Sequence, residues 1–354
     1  MVKVVYFNQW FSSIANVIED LKEKHGDKIK IIASSRNKDH AYKDSVDVFI
    51  VEDWKETSNK EESMTNYVNW VLNLCEKYKV DYFFVKKHAK YITQRKRDFS
   101  ALDCFLISED YETLTKLDNK SDVYKMLENT ELRKYIPEYN VYNNAADAAS
   151  YIHKHRGKND ICLKFNSDEG GTSFRAINDD PITLNSLYGY RVNTISTSDA
   201  IQLTAHAGNS INKLIFMEML DSPEISVDCY NSKKGFIAIC REKEGGRREK
   251  IYYNQGIFDI CQKIGEELNL LFPFNVQFRF KQGKSKDSIN NLRLLEINPR
   301  MSGGLYYEVF NGLNIAEICL MDMMNMTENY SLDNYIDFEP KYVAHLEKAI
   351  HLSE

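Results

Sequence analysis

The residues best suited to chemistry lie in one short segment, where a carboxylate, an amide and a guanidinium follow an apolar, strand-like run. Glu296 and Asn298 are separated by one apolar residue, so both side chains would lie on the same face of a strand. Arg300 follows, and Gly303-Gly304 then leave backbone N–H groups open to a ligand. Mg²⁺ and phosphate bind such oxygen ligands, cations and N–H groups. The segment therefore predicts a magnesium–phosphate site at a strand end.

A second strand-like segment carries three polar side chains that alternate with apolar ones: Gln277, Arg279 and Lys281. The alternation predicts that the three share one face of the strand. If this strand lies beside the first, Gln277 lies near Glu296 and Asn298, and the three oxygen ligands hold Mg²⁺ together with nucleotide phosphates. Arg279 and Lys281 are also consistent with solvent-facing charges of an antiparallel sheet.

Lys164 lies near the end of an apolar run and is followed by a loop that contains Gly170-Gly171, Thr172 and Ser173. A lysine supplies a point charge, and glycines let backbone amides approach closely, so the loop is suited to cover phosphates. A loop of this composition is more often only a hairpin turn. By itself, the segment favours the turn.

The segment that contains Glu218, Leu220 and Glu224 is an apolar strand that ends in carboxylates. Glu218 would accept a hydrogen bond from an exocyclic amine, the backbone near Leu220 would meet a ring, and Glu224 would bind ribose hydroxyls. The alternative is a strand end with solvated carboxylates, which is the better interpretation of the segment in isolation.

Two basic clusters are candidates for an anionic substrate. Segment 241–248 places four cations around a glycine turn, and segment 86–97 follows a predicted strand of a parallel sheet. Ligands of open α/β sheets bind at such strand ends. A solvated hairpin tip and a solvated helix face, respectively, are the favoured alternatives.

Composition excludes several classes of protein. A net charge of −6 over 354 residues argues against a general nucleic-acid binder. The seven cysteines are scattered without a CxxC pair, which indicates buried thiols and no disulfide or zinc framework. No long apolar window predicts a signal peptide or a membrane span. We therefore expect a cytoplasmic protein with no nucleic-acid or membrane partner.

The predicted elements place these residues on an α/β module followed by an α+β region. Roughly the first 115 residues alternate between strand and helix patterns, which predicts a parallel sheet without the GxGxxG dinucleotide fingerprint. In this module we predict strands at 2–7, 29–33, 46–51, 81–85 and 102–107 and helices at 12–24, capped by Ser12 and Ser13, and 61–78. Further on, we predict helices at 120–129, 144–155, 256–268 and 307–323 and strands at 161–165, 214–218, 225–230, 236–241, 275–280 and 292–297. Segment 185–212 matches no element.

In this order and spacing, the segments resemble an ATP-grasp enzyme, above all biotin carboxylase and the synthetase domains of the carbamoyl phosphate synthetase large subunit. The layout is also similar to a tellurium-resistance-associated ATP-grasp branch. The resemblance covers most of the chain, and Glu-x-Asn-Pro-Arg-x-Ser-Gly-Gly is its strongest match. It implies a Rossmann-like pre-ATP-grasp domain at 1–117, an ATP-grasp lid subdomain at 118–215 and a metal-carrying subdomain at 216–354.

The resemblance also implies a role for each candidate residue. The predicted ATP contacts are Lys120, Lys164, Gly170, Gly171, Thr172, Ser173, Glu218, Leu220 and Glu224. The predicted ligands of Mg²⁺ or Mn²⁺ are Gln277, Glu296 and Asn298. The predicted catalytic residues are Arg300, Lys164 and Arg279.

The reaction implied by the resemblance is an ADP-forming ligation: ATP activates a small-molecule carboxylate as an acyl phosphate, and an amine attacks it. A homodimer is among the assemblies that the resemblance allows. Two features depart from the family pattern, since the phosphate loop has few glycines and Gln277 stands where many members have a carboxylate. A phosphotransferase with a hydroxyl acceptor and a nucleotide-binding regulator without turnover are therefore the alternatives.

Overall fold

The computed structural model describes residues 2–168, 171–181, 183–184, 193–245, 248–332 and 339–344. The chain divides into two compact units. The first comprises Met1–Thr115, Ile225–Val276 and Asn298–Glu354, and the second comprises Lys116–Glu224 and Gln277–Ile297. The sequence boundaries at 117 and 215 stay predictions.

The amino-terminal part of the first unit is a parallel five-stranded sheet in the order β3-β2-β1-β4-β5. Its strands are β1 (Lys3–Asn8), β2 (Ile29–Ser35), β3 (Val48–Val51), β4 (Tyr82–Phe84) and β5 (Phe105–Ile107). The helices of this part are α1 (Ile14–His25), α2 (Lys60–Tyr78), α3 (Ala89–Gln94), α4 (Lys96–Ser100) and α5 (Tyr111–Lys116). The predicted Rossmann-like sheet is thereby confirmed, although β3, β4 and β5 are shorter than the sequence pattern predicts.

The predicted capping of α1 by its preceding serines is wrong for Ser13, which is the residue that precedes the helix. Ser13 has helical backbone angles and makes no side-chain cap. Its hydroxyl instead donates to the Gly303 carbonyl at 2.7 Å. A tertiary contact has replaced the local cap.

The second unit contains a five-stranded sheet in the order β6-β10-β7-β8-β9. Its strands are β6 (Tyr139–Asn140), β7 (Ile161–Phe165), β8 (Arg175–Ile177), β9 (Thr194–Ile195) and β10 (Leu214–Glu218). Its helices are α6 (Lys120–Leu127), α7 (Ala145–Lys154) and α8 (Thr197–Ala207). β7 pairs antiparallel with both β10 and β8.

α8 lies in segment 185–212, to which the sequence assigned no element, and residues 185–192 lie outside the described residues. The helix starts where the Ser196 hydroxyl accepts from the Asp199 N–H. A capping residue therefore marks the start of a helix whose Ser/Thr-rich composition had obscured it.

A third sheet has the order β15-β14-β11-β12-β13-β16. Its strands are β11 (Leu220–Ser232), β12 (Gly235–Gly245), β13 (Arg248–Tyr252), β14 (Phe274–Lys281), β15 (Leu292–Asn298) and β16 (Lys341–Ala344). The remaining helices are α9 (Gln255–Glu267), α10 (Tyr306–Val309) and α11 (Ile315–Met323). Short 3-10 helices lie at Glu131–Tyr135, Gly208–Lys213, Ile289–Asn291 and Thr327–Asn329.

The single helix predicted at 307–323 is wrong, because the chain forms α10 and α11 with a break between them. Gly312 has a φ of 80°, which an α-helix does not accommodate. The Asn314 side chain then caps α11 by accepting from the Glu317 N–H.

Each unit has its own apolar core. In the first unit, one core joins α1 and the amino-terminal sheet to apolar residues of β12 and α11, including Phe7, Ile18, Ile239 and Leu320. In the second unit, the core lies between the sheet and helices α7 and α8, with Ile152, Leu163 and Phe216 at its centre. Within the described part of the chain, no helix is long and apolar enough to cross a membrane.

Candidate functional site

Two buried lysines and one carboxylate lie together in the second unit. Lys120, the first residue of α6, is 7% exposed, and Lys164, on β7, is 6% exposed. The Lys120 Nζ lies 3.5 Å from the Glu296 Oε2 of β15. The charges of Lys120 and Glu296 both act on the pKa of Lys164. The structure thus brings together three residues that the sequence predicted for phosphate and metal binding.

The electrostatics of this cluster favour an added anion. Burial, and next the positive charge of Lys120, lower the pKa of Lys164 to about 8. Two buried ammonium groups with one nearby carboxylate leave an excess of positive charge. A bound phosphate would stabilise both lysines in their charged form.

Side chain to backbone hydrogen bonds fix the helix that carries Lys120. The Asn166 side chain accepts from the Ser121 N–H at 2.9 Å and donates to its hydroxyl at 2.7 Å. On the next turn, the Tyr124 hydroxyl contacts the carbonyls of Leu294 and Leu295 at 3.1 and 2.8 Å. α6 is therefore tied to the end of β7 and to β15, the two strands that carry Lys164 and Glu296.

The loop predicted to cover phosphates connects the antiparallel strands β7 and β8, so the hairpin interpretation is confirmed for its topology. Gly170 lies outside the described residues, and Gly171 has a φ of 65°. Asp168 accepts from the Ser173 N–H at 3.0 Å and contacts the Thr172 hydroxyl at 3.3 Å. Contact of this loop with phosphate stays a prediction.

The residues predicted to bind adenine are already engaged with their surroundings. Glu218 accepts from the Glu138 N–H at 3.0 Å and lies 3.7 Å from the Arg293 guanidinium. Leu220 is buried. Sequence reasoning missed Arg293, because alternation along β15 places it on the face opposite Glu296 and Asn298.

Two residues that the sequence assigned to different roles form an ion pair. The Arg279 guanidinium lies 3.2 Å from the Glu224 Oε2, and both side chains are partly buried. Arg279 thus orients the carboxylate that we predict for the ribose. Their roles in binding and catalysis stay predictions.

The predicted metal ligands lie on neighbouring strands. Gln277 is on β14, Glu296 and Asn298 are on β15, and all three are half-buried. Among the described residues, no group of three His, Cys, Asp or Glu side chains is arranged to hold a metal. One carboxylate with two amide oxygens suits Mg²⁺, which uses few protein ligands and completes its shell with phosphate and water.

The segment after Asn298 belongs to the first unit, where buried Arg241 holds it. Arg241 is 2% exposed, and its guanidinium donates to Asp228 at 2.7 Å, Glu249 at 2.6 Å and the Ser302 hydroxyl at 2.7 Å. The expectation that Arg241 belongs to a solvated hairpin tip is therefore wrong, because β12 runs through the core before it reaches the turn. A Cβ on Gly304 would lie 2.1 Å from the Arg241 Nη1.

Glu308 completes this buried cluster. It is fully buried, and burial together with the neighbouring Asp228 raises its pKa well above the usual range. A neutral Glu308 leaves Arg241 balanced mainly by Asp228 and Glu249. Through Arg241, the cluster fixes the backbone around Ser302.

Arg300 lies against the ring of Phe11. The Arg300 guanidinium carbon is 5.6 Å from the ring centre, and the same side chain donates to the Met301 carbonyl at 3.2 Å. Gly303 packs on the ring, since a Cβ there would meet it at 3.2 Å. Phe11 therefore supports the predicted catalytic arginine.

Comparisons with known proteins agree with this architecture. Residues 210–346 match the model of a family described as ATP-grasp in the biosynthetic pathway with Ter operon. No curated protein matches the sequence significantly.

Three enzymes are among the solved structures with a similar fold. The N5-carboxyaminoimidazole synthetase of Staphylococcus aureus, with ADP, has a TM-score of 0.65 at 12% identity over 97% of this chain and 82% of that chain. The biotin carboxylase domain of the Hydrogenobacter thermophilus 2-oxoglutarate carboxylase, with MgADP and bicarbonate, has a TM-score of 0.66 at 13% identity. The match covers 97% of this chain and 73% of that chain. The L-amino acid ligase of Bacillus licheniformis has a TM-score of 0.61 at 11% identity, and the match covers 92% of this chain and 76% of that chain. These likenesses establish the fold.

Proposed function

We propose that this chain, which has the ATP-grasp fold, is an ATP-dependent ligase that joins a small-molecule carboxylate to an amine and releases ADP and phosphate. The observation that carries this proposal is the convergence of Lys120, Lys164 and Glu296 in the second unit. The nucleotides in the related structures, ADP in one and MgADP in another, support ATP as the substrate.

Lys120 and Lys164 would bind the phosphates of ATP. Both lysines are buried, so their charges act in a medium of low dielectric constant, where they stabilise a phosphoryl group far more than in water. Because α6 and β7 hold the two lysines in place, little reorganisation is needed when charge develops during transfer. Glu224, oriented by Arg279, would accept from the ribose hydroxyls.

Glu296, Gln277 and Asn298 would hold Mg²⁺, which neutralises phosphate charge and orients the transferring group when bound. Glu296 now lies beside Lys120. An anionic ligand for the metal and a counterion for the lysine are compatible uses of one carboxylate, since each has two oxygens.

The reaction would proceed in two displacements. A carboxylate oxygen of the acceptor attacks the γ-phosphorus and the bond to ADP breaks, which leaves an acyl phosphate. An amine then attacks the acyl carbon, phosphate leaves, and the amine gives up a proton. Arg300 would stabilise the negative charge on the reacting carboxylate and phosphoryl groups.

A homodimer is part of the proposal, as one related structure is a dimer.

The test uses Glu296. We expect wild-type protein with MgATP, a panel of carboxylates and hydroxylamine to release ADP and form an acyl hydroxamate. Glu296→Ala should lower ADP release at least about 100-fold, because it removes a charge that acts in the transition state. Glu23→Ala, an exposed glutamate of α1, is the matched control and should retain full activity.

Three outcomes are informative. ADP release without hydroxamate would indicate a phosphotransferase. ATP binding without ADP release across the panel would indicate a nucleotide-binding regulator. Wild-type turnover in a folded Glu296→Ala protein would remove Glu296 from the mechanism.

A further inference from the structure

The carboxyl edge of the amino-terminal sheet has the geometry of a ligand site. In the order β3-β2-β1-β4-β5, the chain leaves β1 towards β2 on one side and returns through β4 on the other. β1 and β4 are parallel neighbours, so the strand order reverses between them. Open α/β sheets bind ligands in the crevice beyond the strand ends at this position.

Both segments that leave these strand ends have unusual backbone conformations. Gln9 follows β1 with a φ of 44°, and His88 lies just after β4 with a φ of 56°. Residues other than glycine rarely adopt such angles unless the surroundings hold them there, and ligand sites are a common setting. Buried Asn8 holds these segments together, since its side chain accepts from the Lys86 N–H at 2.8 Å and donates to the Lys87 carbonyl at 2.9 Å.

Positive charge is concentrated at this edge. Burial, then the charges of Lys87, Arg36 and Lys60, lower the pKa of His88 to about 4. Burial and the charge of Lys86 also lower the pKa of His40. Both histidines therefore stay neutral at pH 7, and both respond to a positive field that would attract an anion.

A buried carboxylate at this edge accepts hydrogen bonds from neutral donors. Glu52 is buried and accepts from the Ser34 hydroxyl at 2.7 Å, from the Trp54 indole at 3.1 Å and from the Gln9 amide. These bonds position Gln9 and use both oxygens of Glu52. The carboxylate serves as a structural anchor of the edge.

Phe11 connects this edge to the predicted catalytic arginine within the first unit. The Lys86 Nζ lies 4.1 Å from the centre of the Phe11 ring, and the Arg300 guanidinium carbon lies 5.6 Å from the same centre. The ring is 36% exposed. Two cations on one ring are close enough for a single small molecule to reach both.

We propose that the carboxylate substrate carries a second anionic group, which is a carboxylate or a phosphate ester. Lys86 binds this second group while Arg300 binds the carboxylate that reacts. This inference rests on the proposed function and narrows its substrate to small dianionic acids. An aromatic ring beneath both cations would position them and contact the carbon chain of the ligand.

The test compares probes that differ by one anionic group, titrated calorimetrically without nucleotide: succinate against butyrate, and O-phosphoserine against serine. We expect wild-type protein to bind the more anionic member of each pair at least about tenfold more tightly, as one charge-assisted hydrogen bond would give. Lys86→Met should abolish this preference. Arg300→Met should weaken the binding of both members of each pair.

The control is Lys77→Met, which removes another lysine that lies over an aromatic ring, at the far end of α2. It should keep the wild-type preference, and thermal unfolding should show that all variants are folded. Equal binding or no binding of both members to wild-type protein overturns the inference, as does a preference that survives in Lys86→Met. Because these titrations need no ATP, a protein that prefers dianions but releases no ADP refutes only the proposed function.

Discussion

At the scale of single residues, Lys164 shows how burial changes the titration of a side chain that we propose binds phosphate. Desolvation disfavours its charged form, and Lys120 disfavours it further, so the pKa falls to about 8. The same burial strengthens the attraction to any anion that enters. At pH 7 the lysine is therefore still mainly protonated, and a bound phosphate would stabilise this charged form further.

This pKa predicts how ATP binding depends on pH. Phosphate binds the protonated lysine, so the apparent affinity for MgATP should be near its maximum below pH 8 and fall above it. The loss should be up to about tenfold between pH 8 and pH 9, as expected for one linked proton. Titration of MgATP between pH 7 and pH 9.5 measures it.

Lys164→Arg is the matched variant, because arginine stays charged over this range. Its MgATP affinity should show little change between pH 7 and pH 9.5, whatever its absolute value. The same alkaline loss in both proteins would assign the titration to another group.

The sequence singled out Lys120, Lys164 and Glu296 as candidates because each lies near a strand end or helix start within a recognisable motif, and their binding roles stay predictions. It did not identify the buried Arg241 or the half-buried Arg293 as paired residues. A charge pattern along one strand shows which side chains share a face. It does not show what packs against that face, and Asp228 and Glu249 reach Arg241 only through strand pairing.

At the scale of elements, the buried Arg241 cluster supports the segment that follows β15. Four separate elements contribute to it: β11 through Asp228, β12 through Arg241, β13 through Glu249 and α10 through Glu308. The Ser302 hydroxyl accepts a hydrogen bond from Arg241, so the cluster holds the backbone beside Arg300 in place. The close approach is possible because residue 304 is a glycine.

Gly304→Ala tests this arrangement. Its Cβ would lie 2.1 Å from the Arg241 Nη1, so a fully buried, ion-paired side chain would have to move. We expect a loss of about 1–3 kcal/mol in the free energy of unfolding, as for other overpacked sites. Urea denaturation measures it.

Gly303→Ala is the comparison, because its Cβ would meet the partly exposed Phe11 ring at 3.2 Å, and that ring has room to shift. We expect the smaller loss there. An equal effect of the two substitutions would show that Arg241 does not hold the segment rigidly.

Most elements were predictable from the sequence, and the exceptions have different physical causes. β14 follows the alternation of its sequence, and α2 and α9 follow their helical periodicity. The break between α10 and α11 depends on the conformation of Gly312, and the sequence pattern alone continued the helix through it. β16 was missed because it is short and exists by pairing with β13.

At the scale of the whole molecule, the first unit is assembled from three separate stretches of chain. Its larger core combines residues of the amino-terminal sheet, such as Val5 and Ile31, with Ile239 of β12 and Ile318 of α11. The unit boundaries at 225, 277 and 298 fall inside continuous strands. A sequence shows no change of composition there, so this interleaving could not be predicted from it.

The interleaved core predicts how the amino-terminal module behaves alone. A fragment of residues 1–117 would lack the apolar residues of β12 and α11 that cover one side of its sheet and α1. The exposed apolar surface should bind a fluorescent apolar dye, and burial lost from a domain of this size should leave it without a cooperative unfolding transition. Full-length protein, measured in parallel, should bind little dye and unfold cooperatively. A sharp transition in the isolated fragment would instead establish 1–117 as an independently folding domain, because the core of its other face, around Tyr67 and Phe83, would then be sufficient.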